Sequence, residues 1–246
     1  MAVQISTSTA LVTGANRGIG RALVEALLER GATRVYATAR RPETLDALVA
    51  LGGGRVVPVQ LDVTDKAQVA ALPAVAPDVS LLINNAGVVS HMSETFGDPA
   101  WLDAGRAEFE VNVLGTLAVT QRLAPVLARN GGGAVVNIAS VASFIGFPIL
   151  ATYAAAKAGT HSITQTTRQL LRAQGTFVAG VYPGPVDTDM AANIPLAKAS
   201  PREVAHAILD GVEAGQEDIL PDPMARQMGA AFFSGPKQLE QQVVAA

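Results

Sequence analysis

No cysteine occurs anywhere in the 246 residues of this sequence. That excludes disulfides, thiolate metal sites and cysteine nucleophiles. Histidine is scarce: His91, His161 and His206 are scattered and unpaired by any motif, so no metal site is expected. Charged residues make up only 16% of the chain, with a net charge of −3 and no basic run. Nucleic acid and anionic membranes are therefore not expected partners. The segment Met1 to Thr9 is short and polar, unlike a secretory leader. No apolar stretch reaches the ~18 residues that a membrane span needs. These absences point to a soluble, cytoplasmic protein.

What is present is a hydrophobic fraction of 49% and 23 glycines, without a low-complexity tract or internal repeat. Short β-branched runs alternate with longer helical patterns. Strands are expected at Ala10–Thr13, Arg34–Thr38, Val56–Gln60, Val79–Asn84, Ala134–Ala139, Thr176–Val181 and Asp218–Leu220. Helices are expected at Ile19–Arg30, Pro42–Leu51, Lys66–Val75, Ala107–Arg129, Thr152–Ala173 and Pro201–Gly215. Runs such as Leu81-Leu82-Ile83 lack inside/outside alternation, as expected for strands covered by helices on both faces. The rhythm predicts an α/β fold built on a parallel, doubly wound, seven-stranded sheet. No composition shift marks a linker, so residues 1–246 read as one domain.

The first expected strand runs into Thr13-Gly14-Ala15-Asn16-Arg17-Gly18-Ile19-Gly20, and a helix follows. Glycines permit a tight turn and a close backbone approach to a pyrophosphate, and the helix N-terminus offers free N–H groups. In a dinucleotide fold the second strand ends on an acid that bonds the ribose 2′-hydroxyl, whereas a 2′-phosphate wants arginine. Here Ala39 holds the acidic place and Arg40-Arg41 follow, with Arg17 in reach of the same phosphate. The pattern favours NADP over NAD. Arg40 and Arg41 equally suit a plain loop cap before Pro42.

Tyr153 and Lys157 stand four residues apart, about one helical turn, so both project from one helix face. A cation at ~4 Å in an effective dielectric of ~20 favours a phenolate by roughly 4 kcal/mol, with desolvation opposing it. The pair is thus a candidate general acid–base near neutral pH. On its own, the spacing is equally that of a solvated helix face.

Together these pieces resemble the short-chain dehydrogenase/reductase family over nearly the whole chain, from Ala10 to about Leu220. The glycine string has the family's T-G-x-x-x-G-x-G form. Asp62-Val63 is similar to its adenine contact, and Asn84-Asn85-Ala86-Gly87 to the element that supports the sheet and lines the cofactor cleft. Asn112, Ser140, Tyr153 and Lys157 stand where the family has its catalytic asparagine, serine, tyrosine and lysine. Pro183-Gly184, Val186 and Thr188 are similar to the segment that meets the nicotinamide.

The resemblance implies a Rossmann-like fold and an NADP-preferring oxidoreductase that reduces a ketone or aldehyde, or oxidises the alcohol in reverse. It implies Tyr153 as proton donor and Ser140 as hydrogen-bond donor to the carbonyl oxygen. Lys157 would lower the tyrosine pKa and hold the nicotinamide ribose. Asn112 would interrupt its helix and free a carbonyl for a relay water. Substrate loops are expected at residues 88–98, 141–152 and 185–200, the last a short lid. The 141–152 loop is uncharged and holds Phe144 and Phe147, which suits an apolar or aromatic carbonyl unless these residues face the core. His91 receives no role. The family's habit of forming tetramers or dimers would use Leu114, Leu117, Leu123, Leu127 and Leu170-Leu171, which core packing explains equally well. The aromatics of Phe232-Phe233-Ser234-Gly235-Pro236 would dock on a neighbouring subunit. Two alternatives are an NADP-binding regulator with little turnover and a halohydrin-dehalogenase-like enzyme. Lys157 and the three glycines of the turn argue against the second, and retention of Tyr153 and Lys157 against the first.

Overall fold

A computed structural model describes residues 3–237 together with Leu239. Seven parallel strands form one sheet in the order β3-β2-β1-β4-β5-β6-β7. They are β1 (Thr9–Val12), β2 (Arg34–Ala39), β3 (Val56–Gln60), β4 (Leu81–Asn84), β5 (Ala134–Ile138), β6 (Phe177–Val181) and β7 (Asp218–Ile219). The helices between them are α1 (Gly18–Glu29), α2 (Asp46–Leu51), α3 (Lys66–Val75), α4 (Trp101–Phe109), α5 (Thr116–Arg129), α6 (Ala151–Leu171) and α7 (Pro201–Glu213). After β7 comes α8 (Pro223–Ser234). The α/β architecture and the seven-stranded parallel sheet are those expected.

The period-2 geometry of a strand explains why these runs are apolar throughout. Ala10 and Val12 of β1 join a core on the face covered by α1 and α7, while Leu11 joins a second core under α3 and α5. The same alternation divides Leu81 and Ile83 from Leu82, and Val136 from Val135. Pro58 sits in β3, an edge strand, where a missing N–H is tolerated. The order reverses between β1 and β4, and their carboxyl ends open the crevice where such sheets bind ligands.

Several expectations are corrected. The fourth crossover helix starts at Trp101 rather than Ala107, through α4 and a π-helical turn (Glu110–Gly115) into α5. Gly105 hid this beginning, since glycine reads as a helix breaker. Here it permits a close approach, because a Cβ at Gly105 would lie 3.2 Å from Thr152 Cγ2 at the start of α6. The continuous helix Trp101–Arg129 is long and apolar enough by composition to cross a membrane. Half of its most apolar stretch is buried against the protein, as befits a core helix. Leu123 and Leu127 are fully buried, so they belong to the core rather than to a subunit interface, whereas Leu114 and Leu170 are exposed. Phe232 does not project for a neighbour: it lies in α8 and stacks on Phe144 at 4.7 Å. Phe233 is exposed.

Candidate active site

A cleft of about 1260 Å³ runs from the glycine turn to the Tyr153/Lys157 pair. At one end, Gly14 and Gly18 take positive φ values of 63° and 54°, which L side chains rarely adopt. A Cβ at Gly20 would collide with the Gly14 carbonyl oxygen and Asn85 Nδ2. Asn85 braces this turn, with Nδ2 donating to Thr13 O at 2.9 Å and Gly14 O at 3.1 Å. The Thr13 hydroxyl accepts from the N–H groups of Asn85 and Ala86, both at 2.9 Å, tying the ends of β1 and β4 together. Asp65, Ser200 and Asp222 cap α3, α7 and α8 with their side chains, but no side chain caps α1. Its first-turn residues Gly18, Ile19 and Gly20 line the cleft instead.

Asn16, Arg17, Arg40, Asp62, Val63, Ala86 and Gly87 line the same cleft. Asp62 Oδ1 accepts from Thr64 N at 3.0 Å and Thr64 Oγ1 at 2.7 Å. The Thr64 backbone bond is the main reason that its carboxyl is held below the usual range. Arg17 reaches across the mouth to the lid, where Nη1 meets Asp189 Oδ2 at 3.0 Å. The lid pairs Val186 with Ala199, and Pro183, Gly184, Val186 and Thr188 all face the cleft. Asp222 went unnoticed in the sequence. Its Oδ2 accepts from Gly184 N at 2.8 Å, while Oδ1 caps α8 through Ala225 N at 2.9 Å. The Asp222-Pro223 pair ahead of an apolar helix was the available signal.

At the other end, Ser140, Tyr153 and Lys157 come together. Lys157 is nearly fully buried and its Nζ donates to Ile138 O at 2.8 Å. Nζ lies 5.7 Å from the Tyr153 ring centroid. Ser140 Oγ accepts from Ala142 N at 3.1 Å. Burial pushes Tyr153 up to about 12, with the Ser140 hydroxyl opposing and the Glu108 charge adding to the rise. Burial also brings Lys157 down to about 8. Desolvation sets the direction at Tyr153, opposite to the lowering expected from Lys157, which is not among the groups that shift it.

Asn112 sits in the π-helical turn, so the helix is interrupted there as expected. Its carbonyl accepts from Thr116 Oγ1 at 2.9 Å, and Thr160 Oγ1, at 3.0 Å, divides its single proton between this carbonyl and Ala156 O at 3.2 Å. Its side chain holds Val88 at both ends, accepting from Val88 N and donating to Val88 O, each at 2.9 Å. Two hydrogen-bonded arms lead from Asn84 Nδ2 towards that carbonyl. One passes through Thr120 and Thr116, the other through Asn137, Thr164 and Thr160.

The apolar walls come from Val89, Met92, Phe147, Ile149 and Leu150, with Met190 and Leu196 from the lid. Phe144 does not contribute. It turns to the core against Tyr182 and Phe232. His91 has a partner after all: Nε2 lies 2.8 Å from Asp98 Oδ2, closing the 88–98 loop on itself. Among the described residues no group of three metal-ligating side chains occurs.

Comparison with known proteins agrees with this geometry. The family model described as short chain dehydrogenase matches residues 8–199. A protein of Synechocystis named 3-oxoacyl-[acyl-carrier-protein] reductase is 34% identical, over 83% of this chain and 88% of its own length. A ketoacyl reductase of Nostoc is 30% identical, over 88% of this chain and 79% of its own. A short chain dehydrogenase from Burkholderia cenocepacia, solved in complex with NADP, superposes with a TM-score of 0.90 at 38% identity, covering 98% of each chain. One from Sphingobium yanoikuyae, solved in complex with NADPH, gives 0.80 at 26% identity, covering 94% of each. With the glycine turn, the interrupted helix and the Ser140/Tyr153/Lys157 cluster on one cleft, this chain belongs to the short-chain dehydrogenase family.

Proposed function

We propose that the protein is an NADPH-dependent carbonyl reductase, reversible as a secondary-alcohol dehydrogenase. The observation that carries this reading is the single cleft joining a phosphate cradle to a buried tyrosine–lysine pair. The chain's residues fit NADP(H). The uncapped start of α1 and the Gly14/Gly18 turn suit the pyrophosphate, and the turn keeps its shape because Gly20 has no Cβ to push against the Gly14 carbonyl. Arg40, with Ala39 where an acid would repel it, suits the 2′-phosphate, and Arg17 joins it on leaving Asp189. When bound, NADPH supplies the hydride.

Tyr153 gives its proton to the substrate oxygen. Its raised proton affinity keeps it in the acid form at neutral pH, the state that reduction needs. Ser140 bonds the same oxygen and stabilises the charge that develops there. Lys157, fixed by Ile138 O, places its ammonium beside the tyrosine. Asn112 acts through Val88, whose backbone it grips from both sides.

The apolar walls favour an apolar or aromatic carbonyl. An oxoacyl chain, named as 3-oxoacyl for the Synechocystis relative and as ketoacyl for the Nostoc one, carries a ketone on an apolar chain and fits the same walls. The test is NADPH oxidation against aldehydes, aryl ketones, keto esters, 3-oxoacyl thioesters and charged keto acids. Turnover of an uncharged carbonyl is expected, with a loss of roughly 10²–10⁴-fold in Tyr153→Phe while NADPH still binds. Turnover retained by Tyr153→Phe would remove the tyrosine from its role. A preference for charged keto acids would overturn the substrate class.

A further inference from the structure

Glu108 is the most deeply buried acid near the reaction end, with no exposed surface. It lies in the last turn of α4, four residues before Asn112. Its Oε1 accepts from Ser90 N at 2.7 Å. Its Oε2 is buried and meets no hydrogen-bond donor among the described residues. A carboxyl is costly in such a place, and core packing alone would be served better by leucine.

The neighbours show what it does. Asn112 holds Val88 and Glu108 holds Ser90, alternate residues of the segment leaving β4. Between them lies Val89, which packs against the buried cluster of Ala142, Tyr153 and Ala154 and lines the cleft. Two positions on one helix therefore fix two on the loop, and the residue between is held against the cluster that contains the tyrosine. The charged or polar groups near Tyr153 come from three elements. They are Lys157 from α6, the Ser140 hydroxyl from the turn after β5, and Glu108 from α4.

We propose that Glu108 is a positioning residue of the reaction site: through Ser90 N it sets the Val88–Ser90 wall against the buried cluster that contains Tyr153. The reading rests on the reductase function above. The wall helps to keep water from Tyr153, whose burial is the main cause of its raised proton affinity.

Glu108→Gln and Glu108→Ala test this. Glutamine keeps the volume and the acceptor for Ser90 N, whereas alanine keeps neither. The Ala variant should raise the carbonyl KM by about fivefold or more as the wall loosens, and Gln should restore it. A UV-difference titration of tyrosinate in the NADP-bound protein, with Tyr153→Phe as blank, reads the same wall without turnover: Tyr153 should ionise at lower pH in the Ala variant than in the Gln variant as water reaches it. It tests Glu108 even if every carbonyl in the panel is refused, an outcome that would count against the reductase reading alone. Glu108→Leu, which keeps bulk without an acceptor, replaces Ala if that variant fails to fold. Tyrosinate titrations that superimpose for the variants with and without the acceptor would overturn the proposal.

Discussion

The two ends of the cleft are built on opposite principles. The phosphate end is a shape in the backbone, made by glycines and an uncapped helix start, with an arginine at its rim whose side chain is 67% exposed. The reaction end is a set of buried side chains: Lys157 is 4% exposed, Asn112 1% and Glu108 0%. The first end depends on what is absent, namely Cβ atoms. The second depends on polar groups taken out of water, where an unbalanced charge moves proton affinities by whole units.

The difference can be broken most sharply at Gly20. A side chain there has to displace the Gly14 carbonyl, which is backbone and cannot swing aside. Gly20→Val should weaken NADPH and NADH alike by about a hundredfold, corresponding to ~2.7 kcal/mol of overpacking. Equilibrium titration by cofactor fluorescence checks this, and undiminished affinity would mean that the turn adapts. Arg40→Ala sharpens the comparison at the rim. It should weaken NADPH about tenfold while NADH changes little, as for loss of one charge-assisted bond. Equal losses for both cofactors would remove Arg40 from the 2′-phosphate.

The smallest effect probes the buried end without cofactor. Burial holds Lys157 at about 8 against 10.5 when solvated. Between pH 8 and 9 the unfolded chain keeps that proton while the folded chain sheds it. The unfolded state then binds more protons, and stability rises with pH. Relative to Lys157→Met, the wild type should gain about 1 kcal/mol over this interval in urea denaturation. Parallel behaviour of the two proteins would show that the ammonium is better solvated than its surroundings suggest.

Most of this fold was legible because its signals are local and repeated. Strands buried on both faces leave apolar runs, and β3 occupies the expected Val56–Gln60. The glycine turn was legible for the same reason, since a backbone shape demands one residue type. What escaped depends on the meeting of distant segments. The helix start at Trp101 escaped because Gly105 within it answers to Thr152, its neighbour in space, 47 positions on in the chain. Phe144 read equally as a substrate-loop or a core residue, and Phe232 as an aromatic free to dock on a neighbour, because their stacking joins the turn after β5 to α8. The sign of the shift at Tyr153 was misjudged because a spacing of four residues gives proximity but says nothing of solvent. Glu108 and Asp222 carry no motif, and only their burial against Ser90 and Gly184 marks them.

The two hydrogen-bonded arms that converge on the Asn112 carbonyl make its position redundant. One arm uses threonines of α5, the other passes through β5 and α6. Loss of either leaves the carbonyl anchored by the other, so the kink that carries Asn112 tolerates single errors. The orientation of the Val88 wall is in this sense insured twice by the centre of the sheet.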